Sequence, residues 1–239
     1  DSSDDENTID DLNQDSFGIN IQLTNDIKGE NFNQKITYGF EGSKLDGSRL
    51  RTKFEIDDDK TSEYKSNPDS ETTKLGFYIQ DEISTDKWDF IVGLRYETVD
   101  MDATSDDAWF ATDEVTNRAG QGGFNKDVIG EPNDFNDGHL APSLKALYRF
   151  NEDTNIYAKY DRGFRAPTWD EFNSSRIGVY PIAFHPIFGF PTSYFGYVTT
   201  GNPDLKAETS NNYEIGLKNN TSKSDLSIAA FYSNYEDFL

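Results

Sequence analysis

The chain has 239 residues, with 44 acidic against 22 basic side chains, a formal net charge of −22 and no cysteine. This charge argues against nucleic-acid binding, which needs clustered Lys and Arg, and the lack of cysteine excludes disulfides, thiolate metal sites and thiol nucleophiles. Apolar residues make up only 34% of the chain, yet 14% of its residues are aromatic, which argues against disorder. No run approaches eighteen consecutive apolar residues, so no transmembrane helix is predicted.

Eight segments alternate apolar and polar residues with a period of two, which is the pattern of a strand with one apolar face. In chain order they span Phe17–Leu23, Ile36–Phe40, Leu75–Ile79, Trp88–Tyr96, Leu144–Phe150, Ile156–Phe164, Tyr213–Leu217 and Leu226–Tyr232. The low apolar content and high aromatic content fit a β-barrel, whose strands face lipid only at every second residue. The sequence therefore predicts an all-β chain of about eight antiparallel strands.

Short and long connections alternate between these segments. Short turns are predicted near Asn25–Asn33, Ser84–Lys87, Asn151–Asp153 and Asn219–Ser224, and long irregular loops over about Ser43–Glu71, Asp100–Gly138 and Arg165–Ser210. All short turns would then lie on one rim and all long loops on the other, as in outer-membrane barrels. Three such loops at one end would be unusual in a soluble sandwich. In the resulting transmembrane wall, Phe90, Val92 and Leu94 are predicted to face outward and Arg95 inward.

Acidic residues are concentrated in three stretches, Asp1–Asp15, Asp57–Asp59 and Asp100–Asp107. We expect these stretches to be solvated loops. None of them has the ligand spacing of an EF-hand, so the sequence leaves calcium binding open.

Two short motifs flank the last long loop, Phe164-Arg165-Ala166-Pro167 and Asn202-Pro203-Asp204-Leu205. Pro167 lacks a backbone donor and is expected to end its strand, and Asn-Pro-Asp is a turn tripeptide that leads into the next strand. Together the motifs resemble those of the TonB-dependent outer-membrane receptors, and in particular of the haem and haemoglobin receptor branch. The resemblance covers about Leu75–Leu239 well and the earlier strands by pattern, and Ala207 stands where the family usually has a proline.

This resemblance implies a barrel of about 22 strands in a bacterial outer membrane, preceded by a plug and a short segment that contacts TonB. Neither the plug nor that segment is found in this sequence, so residues 1–239 are expected to be part of a barrel domain. The implied partners are outer-membrane lipid, the TonB–ExbB–ExbD complex through the N-terminal part, and an iron-bearing ligand. The implied function is TonB-dependent uptake of an iron-containing nutrient, either haem, including haem derived from haemoglobin, or an iron–siderophore or other nutrient.

His185 is the candidate ligand-binding residue. In the haem receptor branch the loop between the two motifs supplies a haem-binding histidine, and His185 lies there, within the aromatic segment Tyr180–Tyr197. Imidazole is an ordinary axial ligand of haem iron, and aromatic neighbours suit a flat porphyrin. Tyr180, Tyr194 and Tyr197 are further candidates to ligate or stack on haem, which would be a transported ligand and not an intrinsic cofactor. The alternative is that His185 is an ordinary surface histidine.

The remaining histidine and the abundant carboxylates suggest no chemistry. His139 precedes Leu140 at the start of a strand and is expected to be structural. No serine has a recognisable nucleophile setting beside either histidine, so an enzyme is not predicted. A soluble, acidic carbohydrate-binding module is the alternative outside the membrane, and it predicts solubility without detergent.

Overall fold

The computed structural model describes residues 6–55, 60–111, 129–189 and 191–238. Its strands are β1 (Glu6–Lys28), β2 (Asn33–Glu55), β3 (Lys60–Tyr64), β4 (Asp69–Ser84), β5 (Trp88–Thr104), β6 (Phe135–Arg149), β7 (Thr154–Arg165), β8 (Ser175–Phe184), β9 (Pro191–Thr200), β10 (Glu208–Asn220) and β11 (Asp225–Glu236). Among the described residues, two short helices, α1 (Asp107–Phe110) and α2 (Trp169–Asn173), lie in the long loops. Within the described residues, neither helix has the length and apolar character needed to cross a membrane.

The strands form one antiparallel wall in the order β1-β2-β4-β5-β6-β7-β10-β11. β3 pairs with the last residues of β2, and β8 and β9 pair with each other in a separate two-stranded sheet. The predicted antiparallel wall of eight strands is therefore confirmed.

The four short turns lie on one rim of this wall. Pairing of Asn33 with Ser84 places the first two turns side by side. The amide of Arg149 donates to the carbonyl of Lys87 (2.8 Å), and the amide of Asn220 donates to that of Asp153 (2.8 Å), so the later turns adjoin as well. The predicted separation of short turns and long loops onto opposite rims is confirmed.

The two faces of the wall differ as the alternation predicts. Phe90, Val92 and Leu94 are 36%, 51% and 42% exposed on the apolar face. Arg95 lies on the opposite, polar face, where its guanidinium is 2.7 Å from both Glu41 and Glu97. Trp88 and Tyr96 bound the apolar stretch of β5 and are about 26 Å apart along the strand, which matches the lipid-facing band of about 25 Å in outer-membrane barrels.

The strands extend well beyond this band, so the loops predicted for Asp1–Asp15, Ser43–Glu71 and Asp100–Gly138 are partly wrong. The predicted irregular loop Arg165–Ser210 is also partly wrong, because it contains β8 and β9. Residues 6–15 belong to β1 and pair with residues 46–55 of β2, and residues 100–104 continue β5. β1 and β2 have 23 residues each, whereas about 9–11 suffice to span a membrane. Above the band both faces of a strand meet water, so its residues need not alternate between apolar and polar. Backbone pairing still holds these strands together, but the sequence lacks the pattern that would predict them. Asp57–Asp59 lie outside the described residues.

The buried core lies at the long-loop rim. Met101, Phe135, Phe172 and Ala207 are each 3–6% exposed, and Phe164, Ala166, Trp169 and Leu205 pack against them. These eight residues are called the rim cluster below. The wall itself is a single sheet with two exposed faces, so well-buried apolar contacts are found where the loops fold over its end.

Candidate functional site

The first motif ends β7 and enters the rim cluster. Phe164 and Ala166 pack in the cluster, and the ring of Phe164 stacks on that of His139 with centroids 5.0 Å apart and planes inclined by 6°. The pairing of β7 with β10 ends at Arg165, and the buried Pro167 follows after one residue. The predicted strand end before Pro167 is therefore confirmed. His139 is held by this ring packing, which supports its structural role.

Arg165, the polar residue of the motif, connects three elements. Its guanidinium lies 2.6 Å from Glu171 of α2 and 3.4 Å from Glu208, the first residue of β10. Glu171 also caps its own helix, because its carboxylate accepts the amide of Thr168 (2.8 Å) while the Thr168 hydroxyl accepts the amide of Glu171 (3.4 Å). This Thr-x-x-Glu capping box fixes where α2 begins. Arg165 therefore joins the end of β7 to α2 and to the start of β10.

The second motif is a turn that rests on α2. The side chain of Asn202 accepts the amide of Asp204 (3.0 Å), and its carbonyl accepts the amide of Leu205 (3.3 Å). The amide of Asn202 in turn donates to the carbonyl of Glu171 (3.0 Å). Leu205 and Ala207 then enter the rim cluster beside the first motif. The two motifs thus meet through α2, although Arg165 and Asn202 are 37 residues apart in the sequence.

A buried loop between β3 and β4 supports this junction. Asn67 and Pro68 are the most completely buried large side chains in the described residues. The Asn67 amide donates to Asp170 of α2 (2.6 Å), and the carbonyl of Ser66 accepts the amide of Ser175 at the start of β8 (2.8 Å). Sequence reasoning missed this loop. A signal was available, because residues 67–69 repeat the Asn-Pro-Asp tripeptide of the second motif.

An ion cluster holds the same loop against α1. The ammonium of Lys65 lies 2.8 Å from Asp69 and 2.5 Å from Asp106, and Asp106 caps α1 by accepting the amide of Trp109 (2.8 Å). Burial disfavours the charge on Lys65, but hydrogen bonds to Asp106 and Asp69 outweigh it and raise its pKa. Burial likewise opposes the charge on Asp106, yet hydrogen bonds from Lys65 and from the Trp109 amide lower its pKa. Both groups are therefore charged near neutral pH.

His185 lies at the tip of the β8–β9 hairpin, which projects from this junction. Its carbonyl accepts the amide of Gly189 (2.9 Å), and its Nδ1 accepts the amides of Ile187 and Phe188, both at 3.3 Å. Gly189 has a φ of 71°, which favours glycine there. Because neutral imidazole carries one proton, an accepting Nδ1 places that proton on Nε2. Ligation of a metal through Nε2 would move the proton to Nδ1 and open the tip turn.

The candidate tyrosines lie on the same hairpin but at different distances from its tip. Tyr180 is paired with Phe195, Tyr194 with Pro181, and Tyr197 with Gly178. Tyr197 is 40% exposed and stands six residues beyond the start of β9, about 20 Å along the strand. The side chains of Tyr180 and Tyr194 lie outside the described part of the structure. Contact of these tyrosines with a ligand remains a prediction.

The tip is apolar and exposed. Its large apolar side chains are 55–79% accessible; they are Ile182, Phe184, Ile187 and Phe188. Residues 175–200 contain Arg176 as their single formally charged side chain, in a chain of net charge −22. The tip therefore offers an imidazole among apolar groups, which suits a flat, largely apolar ligand.

In the described residues, grooves lie on both faces of the wall, including one of about 380 Å³ on the polar face that is lined by residues such as Glu41, Arg95 and Glu97. In the described ranges, no group of three or more His, Asp or Glu residues could hold a metal ion. Grooves of about 500 and 530 Å³ lie on the apolar face of the wall, lined by residues such as Ile79, Leu94 and Tyr213. These grooves lie on the face that is turned to lipid, so they do not identify a site for a polar nutrient.

Comparison with known protein families gives a match over the whole chain. The sequence model described as "TonB dependent receptor-like, beta-barrel" matches residues 1–239. Hemoglobin-haptoglobin utilization protein B of Neisseria meningitidis serogroup C is 33% identical over 92 residues, which are 38% of this chain and 9% of that protein. Hemoglobin and hemoglobin-haptoglobin-binding protein of Haemophilus ducreyi is 36% identical over 102 residues, 41% of this chain and 9% of that protein. The alignments thus span about a tenth of the length of these curated relatives.

Solved structures share the architecture. The copper transporter OprC superposes with a TM-score of 0.67 at 13% identity over 97% of this chain and 31% of its own. The Serratia marcescens haemophore receptor HasR, solved with its haemophore HasA and haem, gives 0.62 at 15% identity over 96% of this chain and 34% of its own. The ferric citrate transporter FecA gives 0.60 at 13% identity over 96% and 29%. At these identities the similarity shows a shared fold only, and it does not extend the substrate of any of these proteins to this chain.

Proposed function

This chain belongs to the TonB-dependent receptor β-barrel family, and we propose that it forms part of the barrel and extracellular loops of a receptor for haem, including haem taken from haemoglobin. The family consists of outer-membrane transport receptors of Gram-negative bacteria and not of enzymes. Family membership also removes the alternative of a soluble carbohydrate-binding module. The chain covers 31% and 34% of the OprC and HasR chains, so the activity of the whole protein is inferred from a part.

The observation that carries the proposal is the position of His185. It stands at the exposed tip of a hairpin whose two ends are fixed by the family motifs, among apolar side chains that suit a porphyrin. The names of both curated relatives refer to haemoglobin, which supports haem over other iron carriers. Haem is here the transported ligand and not a resident cofactor.

The hairpin residues would act as a capture site. Haem iron accepts a histidine nitrogen as axial ligand, and Nε2 of His185 can supply it once Nδ1 releases the amides of Ile187 and Phe188. Each of those two hydrogen bonds, at 3.3 Å, contributes about 0.5–1.5 kcal/mol, so opening the turn has a modest cost. Phe184 and Phe188 would then cover the porphyrin faces. Energy for transport would come from the TonB–ExbB–ExbD complex through the N-terminal part of the receptor.

Substitution of His185 in the intact receptor tests the proposal. His185→Ala should reduce haem and haemoglobin binding and haem-dependent growth, because the axial nitrogen is lost. Uptake of an iron–siderophore by the same cells should be unchanged. His139→Ala is the matched control, since it also removes an imidazole, but one packed on Phe164 in the rim; it should affect haem uptake much less at equal receptor levels.

Wild-type haem uptake by the His185→Ala receptor would refute the assignment of the ligand. A siderophore or another nutrient would then be the cargo, and binding assays with iron–siderophores would identify it. Iron–siderophore uptake is the alternative that the shared fold leaves open.

A further inference from the structure

The junction of the two motifs has a mechanical role that the proposed function does not use. Hairpin β8–β9 belongs to its own sheet, and its base is bonded to two segments, the β3–β4 loop and α2 with its C-terminal cap Ser174. The amide of Ser175 donates to Ser66, that of Gly201 to Ser174 (2.5 Å), and that of Asn202 to Glu171. The hairpin is therefore a separate two-stranded unit that is hydrogen-bonded at its base to the rim.

Gly201 is the tightest point of this base. A Cβ added at Gly201 would lie 2.5 Å from the backbone carbon and oxygen of Phe172 and 2.7 Å from the nitrogen of Asn173. Those atoms are backbone and cannot rotate away as a flexible side chain could. They also belong to α2, which Phe172 anchors in the rim cluster. The hairpin base thus lies directly against the buried residues Phe172 and Asn173 of α2.

We propose that the two motifs, α2 and the buried β3–β4 loop form a clamp that sets the direction of the β8–β9 hairpin and so the position of His185, with Gly201 and Asn67 as positioning residues. The inference rests on the proposed function for the identity of the ligand, but not for the direction of the hairpin. Neither residue touches the tip. Asn67 acts through Asp170, its hydrogen-bond partner on α2.

The geometry amplifies small changes at the base. A Cβ at Gly201 would be about 0.9 Å too close to the backbone of Phe172, because ordinary van der Waals contact starts at 3.4 Å. Moving one strand by about 1 Å against a neighbour about 4.8 Å away turns the pair by about 12°. β9 has ten residues and is about 33 Å long, so its far end would move by about 7 Å.

Distances measured with spin labels test the clamp without any ligand. This chain has no cysteine, so labels can be attached at Ile187→Cys on the tip and Asp102→Cys on the wall, in a receptor background without other cysteines. Gly201→Ala should shift the distance between the labels by up to about 7 Å or broaden its distribution. Gly130→Ala is the matched control, because this rim glycine has no heavy atom within 4 Å of an added Cβ.

Exchanging the amide and the carboxylate between residues 67 and 170 separates an effect on hairpin direction from an effect on folding. These variants also test the clamp if Gly201→Ala prevents assembly of the receptor. N67D places two carboxylates together and should broaden the distance distribution. N67D combined with D170N restores one donor and one acceptor, and should return both the distance and the haem affinity to those of the wild type. Barrel assembly, followed by gel mobility before and after heating, should be the same for all of these receptors.

Unchanged label distances in Gly201→Ala and N67D would overturn the clamp. So would broadening in N67D that the added D170N does not reverse. A wild-type receptor that binds no haem would refute the proposed function instead, and the label distances would still decide the clamp.

Discussion

Phe172 of α2 offers a quantitative test of the rim cluster. Its side chain is 4% exposed, and its ring meets that of Phe135 edge to face, with centroids 5.4 Å apart and planes inclined by 73°. Truncation of a buried Phe to Ala costs about 3–5 kcal/mol, including about 0.5–1.5 kcal/mol for the aromatic pair. Phe172→Ala should therefore weaken the rim by about 3 kcal/mol or more.

The loss should appear as local opening and not as unfolding of the wall. Met101, Phe135 and Phe164 stand near the rim ends of their strands, so we expect the rim to open as a separate unit. An opening free energy lowered by about 3 kcal/mol speeds exchange of the protected amides by about 100-fold. The reporting amides are those of Ser175, Gly201 and Asn202, which are hydrogen-bonded at the base of the hairpin.

Hydrogen–deuterium exchange of the intact receptor in detergent, read by mass spectrometry, measures this effect. Amides near Leu94 in the wall should exchange as in the wild type. Ile187→Ala is the matched control, because it removes a large side chain that is 79% exposed at the tip. If the three base amides exchange equally slowly in Phe172→Ala and the wild type, the rim cluster does not stabilise the hairpin base and the reasoning is wrong.

Two further predictions concern the lipid face and the ion cluster. Val92→Arg should destabilise the folded barrel by about 2–4 kcal/mol, since a charge midway between Trp88 and Tyr96 meets lipid; Gln80→Arg on the polar face should be nearly neutral, and equal urea stability of the two in vesicles would contradict the assigned faces. The lowered pKa of Asp106 means that its pairing stabilises the rim above the unfolded pKa of about 3.9 and that this stabilisation is lost as pH falls through the lower folded value. Fluorescence of the buried Trp109 should therefore change on acidification below about pH 4. In Lys65→Met the same fluorescence change should occur at a higher pH, because the pairing with Asp106 is lost. The same transition pH in Lys65→Met and the wild type would contradict the pairing.

The wall was predictable because its signals are local. Alternation between Trp88 and Tyr96 follows from the two-residue period of a strand whose faces meet lipid and water. Turn residues such as Asn151, whose side chain accepts the amides of Asp153 and Thr154 (3.0 and 2.8 Å), mark the short rim. Strand order, rim assignment and the facing of Leu94 and Arg95 all follow from these features.

The functional rim was only partly predictable. The sequence placed His185 between two motifs, but the segment around it contains prolines and no alternation, so strands β8 and β9 were expected to be irregular loop. Residues 6–15 were expected to be loop because their many acidic side chains conceal a strand that is held by backbone pairing with β2 and by the ion pair of Asp10 with Arg51.

Contacts between distant segments decided the rest. Asn67 meets Asp170 across 103 residues, and Phe135 at the start of β6, Phe164 near the end of β7 and Leu205 in the connection before β10 share one cluster. Composition and short-range spacing do not encode such meetings, since they depend on how the wall brings its loops to the same rim. The sequence by itself determined the eight strands of the wall, the two rims and the family motifs; the tertiary structure decided that these motifs close on one helix and hold the hairpin that carries His185.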